Sequence, residues 1–294
     1  MTLTLVLTLL LSVLIGLSLG LLGGGGSILT VPILTYVAGM DPKEAIAASL
    51  FVVGVTSAFS VISHARNHRV RWRTGLIFGA ASMAGAFLGG LLGGHIPGTV
   101  LMIGFAVMMV ATSVAMIRGR KNSKDGSEST RDGGIPVLKV LAEGIVVGLV
   151  TGLVGAGGGF LVVPALALLG GLPMPVAVGT SLVVIAMKSF AGLAGYLTTV
   201  SLDWVLVGSV TLAAIAGSVL GARLAGRIPE VALRKGFGIF VLVMGVVVLM
   251  QELPGPAGLI VGGLAGLGAA AAAVCWFAMP SCPLRRKAAA RAAS

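Results

Sequence analysis

The chain has 294 residues, of which 57% are hydrophobic and 10% are charged, and its mean hydropathy is +1.09. Soluble domains average about 45–50% apolar and about 25% charged residues, so this composition excludes an ordinary soluble protein. It predicts an all-α, polytopic membrane protein, because helices satisfy their own backbone groups in lipid.

The net charge of +11 does not indicate a nucleic-acid partner. Eighteen of the twenty lysines and arginines lie between or beyond apolar runs, as they do in cytoplasmic loops of membrane proteins. A nucleic-acid surface would also carry aromatic side chains among the basic ones. In this sequence only Trp72 lies among the basic residues. We therefore expect a lipid bilayer and no nucleic acid. The basic segments are residues 66–73, 118–139, 223–235 and 285–291.

The chain is internally duplicated. GLSLGLLGGGGSILTVPIL at residues 16–34 returns as GLVTGLVGAGGGFLVVPAL at residues 148–166, with eleven of nineteen positions identical and a displacement of 132. The same displacement pairs Trp72 with Trp204 further along the chain. This predicts a first repeat unit at 1–117 and a second at 138–251, with a polar cytoplasmic linker at 118–137.

Each unit contains apolar runs of the length that crosses a bilayer, about 20 helical residues. The first twenty-two residues lack a basic start and run into the glycine motif, so we read them as retained structure. A run at 252–280 has no partner and leads into a basic tail at 281–294. The runs after the glycine motifs are 45–63, 74–94 and 99–117 in the first unit, and 176–197, 204–222 and 231–250 in the second.

Matching loops of the two units differ in charge. The loop after the first run is HARNHRVRWR in unit one and TTVSLDW in unit two, whereas after the next run the basic loop belongs to unit two. If basic loops mark the cytoplasm, the two units cross in opposite senses and form inverted repeats. Each glycine segment must then be a broken helical hairpin, which gives about 8 to 10 crossings and a cytoplasmic C-terminus.

Both glycine segments interrupt an apolar run and are followed by a proline, Pro32 or Pro164. A half-helix that begins inside the membrane exposes unpartnered amides at the positive end of its dipole, where anions bind. Paired breaks at matching positions point to a transporter's binding site. The alternative is that the glycines only permit close helix packing. The expected site residues are Gly23, Gly24, Gly25, Gly26 and Ser27 in unit one, and Gly155, Gly157, Gly158 and Gly159 in unit two.

Lys188 lies about 18 Å into the run at 176–197, deep in the hydrocarbon region. A lysine there costs about 2.5–3.5 kcal/mol on insertion scales and normally faces a cavity or a partner. Thr180 shares its predicted helix face, with Ser181 beside it, and Ser49 is the match of Ser181 in unit one. Hydroxyls and one ammonium suit a small anion; the alternative is a lysine that binds carbonyls of the broken helix and is purely structural.

We predict no metal site, no cofactor and no catalytic residue, and therefore no enzyme. His64 and His68 have the spacing of a metal-binding pair on a helix, but no acidic or thiol residue accompanies them. A solvated face near the membrane surface is the better interpretation. Cys275 and Cys282 match no metal or redox spacing, so we expect structural or incidental thiols.

The doubled motifs GLLGGGGSILTVPIL and GLVGAGGGFLVVPAL, with Ser49-Leu50 and GTSL at 179–182 downstream, resemble the TauE/SafE family of membrane transporters. The resemblance implies permeation of sulfite, sulfoacetate or related organic anions across a bacterial inner, cytoplasmic membrane. It also implies that the glycine runs, both Val-Pro pairs, Ser49, Thr180 and Ser181 form the site region. Ala48 stands where the second unit has Thr180, so the first unit departs from the pattern there.

These observations together predict a secondary transporter that moves small anions by alternating access, with the anion held at half-helix N-termini. Two alternatives stay open, a passive anion channel and a non-transporting membrane scaffold. The particular anion and the direction of transport stay open as well.

Overall fold

The computed structural model describes residues 2–22, 24–118, 137–155, 157–159, 162–163, 166, 172, 174–224, 230–253, 258 and 263. No β-strand occurs among these residues. The elements are α1 (Thr2–Leu22), a 3₁₀ helix (Gly24–Leu29), α2 (Thr30–Tyr36), α3 (Pro42–Arg66), α4 (Trp72–His95), α5 (Gly98–Arg118), α6 (Val137–Val154), α7 (Met174–Tyr196), α8 (Trp204–Leu224) and α9 (Glu230–Glu252).

Five of these helices, α1, α3, α4, α7 and α8, are long and apolar enough to cross a bilayer. Large apolar side chains such as Leu3, Val205 and Leu212 are 71–84% exposed, as expected where lipid is the solvent. The prediction of an all-α, multi-pass membrane protein is confirmed. The six runs predicted after the glycine motifs coincide with α3, α4, α5, α7, α8 and α9. The linker, the run at 252–280 and the tail fall almost entirely outside the described residues.

Helix starts follow local sequence signals. Pro42 begins α3, where its missing N–H leaves no helical bond unmade. Asp203 caps α8, since its Oδ1 accepts hydrogen bonds from the amides of Val205 at 3.0 Å and Leu206 at 3.2 Å. Trp72 and Trp204 begin α4 and α8 and are each 52% exposed, which fits tryptophans at a membrane interface.

The two halves of the chain are interlocked. The first helix of each half packs on a helix of the other half: α1 lies along α8, and α6 lies along α4. Glycines make both contacts close. A Cβ on Gly217 would overlap the carbonyl oxygen of Val13, and one on Gly85 would overlap that of Ile145. Close packing at small residues is therefore one function of the many glycines.

The helix α3 and its match α7 pack against each other and run in opposite directions. Gly54, in the middle of α3, lies against Phe190 in the second half of α7, while His64, near the end of α3, lies against Gly179 near the start of α7. By contrast, α4 and α6 are parallel, because Ala81 faces Gly144 and a residue later in α4, Gly89, faces Leu149.

The chain doubles back after α6. Tyr196, the last residue of α7, donates a hydrogen bond from its hydroxyl to the carbonyl of Leu153, at 2.5 Å, so α6 ends beside the end of α7. Leu166 and Leu172 then pack in one buried cluster with Ala177, near the start of α7. The described residues of this segment therefore lie beside both the end and the start of α7, and the hairpin stays a prediction.

The close contact at Gly217 generates a stability prediction. We expect Gly217→Ala to destabilise the protein by about 1–3 kcal/mol, because the added methyl must push apart two helix backbones. Thermal unfolding in detergent, followed by fluorescence-detected size exclusion, measures the effect.

Gly208→Ala is the matched control on the same helix, since nothing lies within 4 Å of a Cβ there. It should leave the Tm unchanged or raise it slightly, because alanine is the better helix former. Equal Tm values for the two variants would contradict close packing as the role of Gly217.

Candidate functional site

Both glycine segments interrupt their helices, but in different ways. In the first unit, α1 ends at Leu22 and a 3₁₀ helix, Gly24–Leu29, leads directly into α2. Gly24, Gly25 and Gly26 are thus the first turn of the second half-helix rather than a loop before it. Pro32 is the third residue of α2 and is buried. The 3₁₀ turn is tighter than an α-turn and is common where helices begin.

In the second unit the break is a left-handed turn. Gly155, Gly157 and Gly158 have φ angles of +69°, +59° and +60°, a conformation that only glycine adopts without strain. Helix resumes at Gly159, and the Val162 amide donates to the Gly158 carbonyl at 3.0 Å. The predicted residues Gly23 and Pro164 lie outside the described residues.

The two glycine segments meet at Ser27. A Cβ on Gly157 would lie 2.9 Å from the Ser27 Cβ and 3.0 Å from its Oγ. Ser27 is fully buried at this contact. Residues that are 130 positions apart in sequence therefore form one location, to which both units contribute backbone.

Lys188 lies against the same break. It is 1% exposed, and its Nζ donates a hydrogen bond of 2.9 Å to Oγ1 of Thr151 on α6. A Cβ on Gly158 would overlap that Nζ, so the absence of a side chain at Gly158 makes room for the ammonium. Within the described part of the chain, no carboxylate forms an ion pair with Lys188, and Thr151 is its one hydrogen-bond partner.

Carbonyls near the break are satisfied by hydroxyl groups. Ser49 Oγ donates to the carbonyl of Gly155 at 2.9 Å and so holds the turn against α3. Thr151 Oγ1, which accepts from Lys188, donates in turn to the carbonyl of Val147 at 2.7 Å. Acceptors at the break are thus matched with donors, whereas the ammonium retains unused donors, because a lysine has three.

Two predicted residues lie away from Lys188. Thr180 Oγ1 accepts a hydrogen bond of 3.0 Å from the amide of Arg71, in the loop before α4. It lies eight residues from Lys188, or about 12 Å along α7. Ser181 Oγ donates to the carbonyl of Val178 in its own helix, at 2.7 Å. Both side chains are buried, and both serve local contacts at the start of α7.

Thr151 was missed in the sequence analysis. Thr151 carries a hydroxyl group in the largely apolar α6, four residues before Gly155, and this could have indicated a role. Because Thr151 and Lys188 are 37 residues apart in the chain, the sequence did not indicate their contact. Two further hydroxyls, those of Ser57 and Ser189, are buried without a hydrogen-bond partner among the described residues. They occupy matching positions on α3 and α7. Such groups cost about 1–3 kcal/mol when left unsatisfied, so they are candidates to contact a solute or water.

No group of three His, Cys, Asp or Glu residues able to hold a metal ion occurs in the residues that were described. His68 ends the turn after α3 with a φ of +53° and is exposed, whereas His64 is half-buried. The two histidines therefore differ in environment, although they were predicted to share one solvated face.

Comparisons with known proteins agree with this architecture. A family model described as "Sulfite exporter TauE/SafE" matches residues 8–248. A probable membrane transporter protein of Xylella fastidiosa (strain 9a5c) is 34% identical over 238 residues, covering 80% of this chain and 91% of the relative. No solved structure matches the chain.

More distant relatives carry the same description. A probable membrane transporter protein of Methanocaldococcus jannaschii is 28% identical over 247 residues, covering 78% of this chain and 90% of its own. One from Bacillus subtilis is 25% identical over 231 residues, covering 79% and 94%. A repeated, glycine-broken helical architecture and a family match over most of the chain lead to one conclusion: the chain belongs to the TauE/SafE sulfite exporter family of membrane transporters.

Proposed function

We propose that this protein is a secondary transporter that moves small oxyanions, such as sulfite or sulfonates, by alternating access. The observation that carries the proposal is the buried ammonium of Lys188 against the Gly158 turn, with Thr151 as its partner. A charge at membrane depth normally marks a substrate path or has a counter-charge. Because no carboxylate pairs with it in the described residues, a transported anion is the natural counter-charge.

The surroundings of Lys188 favour an anion over a cation. Ser49 and Tyr196 donate to the carbonyls of Gly155 and Leu153, so those carbonyls are poorly available to coordinate a metal ion. Hydrogen-bond donors of the Lys188 ammonium remain, because only one described partner accepts from it. A half-helix that resumes at Gly159 adds the positive end of its dipole.

Alternating access is supported by the directions of the helices. The matched helices α3 and α7 are antiparallel, while α4 is parallel to α6, which belongs to the other unit. Two units of opposite orientation around one midplane site are the usual basis of alternating access in secondary transporters. We propose that the units are residues 1–117 and 138–251. No chemical conversion of the solute is part of the proposal.

The charge of the loops supports one orientation. The loop at 66–73 between α3 and α4 carries four arginines, and we propose that it faces the cytoplasm, as basic loops of membrane proteins do. The loop at 197–203 after α7 then lies on the opposite side. We propose that the protein lies in the inner membrane of a bacterial cell, with its C-terminal tail in the cytoplasm.

The family description names sulfite export, and the curated relatives are named as probable transporters. Sulfite, sulfoacetate and simple sulfonates share a compact oxyanion head. That head can accept several hydrogen bonds from an ammonium and from hydroxyls. We therefore choose labelled sulfite as the first probe, with a sulfonate as the second.

The first prediction from the proposed function concerns Lys188→Met. Proteoliposomes loaded with labelled sulfite should lose anion efflux about 10- to 100-fold, because hydrogen bonds to a charged group contribute about 1.5–3 kcal/mol. Saturation and counterflow in the unchanged protein would separate a transporter from a passive channel. Efflux that is unchanged in a folded Lys188→Met protein would remove Lys188 from the site.

Lys43→Met is the matched control. Lys43 is half-buried at the start of α3, where its Nζ donates to the carbonyl of Gly94 at 2.8 Å. The substitution removes the same charge at an end of the helix bundle, and we expect efflux to stay within about twofold of the unchanged protein.

A second prediction separates a functional lysine from a structural one. Thr151→Val removes the hydroxyl that positions the Lys188 ammonium, whereas Thr151→Ser retains it. We expect Thr151→Val to raise the sulfite concentration for half-maximal efflux about tenfold and Thr151→Ser to restore it. A lower Tm for Thr151→Val with unchanged transport per folded protein would support a purely structural lysine.

A third prediction tests topology. In a protein whose natural cysteines are replaced, Arg69→Cys should react with a membrane-impermeant maleimide only from the cytoplasm, and Thr199→Cys only from the outside. Both positions are exposed in loops. Labelling of both from one side would exclude the proposed inverted arrangement.

A further inference from the structure

A cavity of about 210 Å³ lies where α1, α3 and α8 end, beside the basic loop at 66–73. It is separate from the contact between Lys188 and Gly158, and none of the residues assigned to that site lines it. Its polar lining residues are Ser60, Ser63 and His64 from α3, and Ser218 and Arg223 from α8.

The duplication provides an internal control for this cavity. The positions that match Ser60, Ser63 and His64 are Gly192, Gly195 and Tyr196, and they lie at the opposite end of the molecule. There the space is closed. A Cβ on Gly195 would lie 2.6 Å from the carbonyl oxygen of Phe87, and Tyr196 is fully buried.

The residues on the facing helices differ in the same way. Ser218 and Arg223 of α8 correspond to Ala86 and Leu91 of α4. At the matching place in the other unit, the fold therefore packs closely with glycine, alanine, leucine and tyrosine. Since packing does not demand the polar set around the cavity, those side chains need another explanation.

The polar set carries one positive charge, that of Arg223. Its guanidinium forms no ion pair with a described residue, and its planar fork suits an oxyanion. Ser60 and Ser218 donate their hydroxyl protons to the carbonyls of Thr56 and Ile215, each at 2.9 Å, and so do not offer them to a solute. The described lining residues include no Asp or Glu.

His64 also lines the cavity, from α3. Its Nδ1 is buried and has no hydrogen-bond partner among the described residues, so a solute in the cavity does not reach that atom. Arg223 is therefore the group that can hold an anion there through a charge-assisted contact.

The cavity is sized for a small solute. Its volume is several times the roughly 30 Å³ that one water occupies, and it is below the roughly 300–1,000 Å³ of pockets for drug-sized ligands. Ser57, whose hydroxyl has no hydrogen-bond partner among the described residues, lies three residues before Ser60, or about 4.5 Å along α3.

We propose that this cavity is a second, inner binding site for a small oxyanion, with Arg223 as its principal ligand and Ser63 and His64 in its wall. The site rests on the proposed function, because it would load or release the anion that passes Lys188. It differs from the Lys188 site in location and in ligands, and it can be tested without any transport measurement.

The test is substrate protection of a cysteine in the cavity. In the full-length chain with Cys275→Ala and Cys282→Ala, Ser63→Cys is alkylated by N-ethylmaleimide in inside-out vesicles. Methanesulfonate at twice its dissociation constant should slow alkylation about threefold relative to chloride at equal ionic strength. Sulfate and acetate form parallel arms that distinguish a preference for sulfonate, inorganic oxyanion or carboxylate.

Arg223→Gln should weaken this protection at least tenfold, because it removes a charge-assisted, two-pronged contact. Lys188→Met should leave it unchanged. Asn67→Cys, an exposed position one turn beyond Ser63, is the control that no anion should protect. Ser60→Cys replaces Ser63→Cys if the latter does not fold.

The outcomes separate the two proposals. Protection that persists in Lys188→Met, together with lost efflux, supports both sites. Equal alkylation with and without each of the three anions, in a protein that still transports sulfite, overturns the cavity site and leaves the proposed function standing. Protection that Arg223→Gln does not change would overturn the assigned ligand.

Discussion

Backbone groups that are released when a helix breaks inside a membrane must find partners within the protein, since lipid offers none. In this structure the carbonyls around the second break are matched by hydroxyls of residues on other helices, Ser49 from α3 and Tyr196 from α7. The break is thereby fixed in position. The same arrangement leaves the ammonium of Lys188 with unused donors, and the proposal that the protein binds a negative solute depends on that excess.

The duplication accounts for the position of the candidate site between the two proposed units. Each unit contributes one interrupted helix, and the two interruptions meet where Gly157 faces Ser27. They are not copies in detail. The first contains a 3₁₀ helix and the second a left-handed glycine turn, and only the second has a lysine beside it. Divergence of this kind lets one location combine a hydroxyl from one unit with a charge from the other.

Much of the fold could be predicted from the sequence. Apolar runs of about 20 residues indicate where the helices lie, and the repeat indicates which helices correspond, so α3 to α5 and α7 to α9 were placed closely. The helix α6 was not among the predicted runs. The side-chain contacts were harder. Thr180 and Lys188 are predicted to share a helical face. In the structure, however, Thr180 contacts the loop before α4, whereas Lys188 contacts Thr151 on α6. Helical periodicity does not report which neighbour covers each turn, and this is why Thr151 was missed.

The glycine contacts described for α1 with α8 and for α4 with α6 have a mechanical consequence. Backbones that touch without intervening side chains cannot slide easily, so each pair moves as one piece. Each pair contains one helix from each repeat unit, so each closely packed pair spans both units. Any movement of one half against the other must therefore carry α1 together with α8 and α6 together with α4.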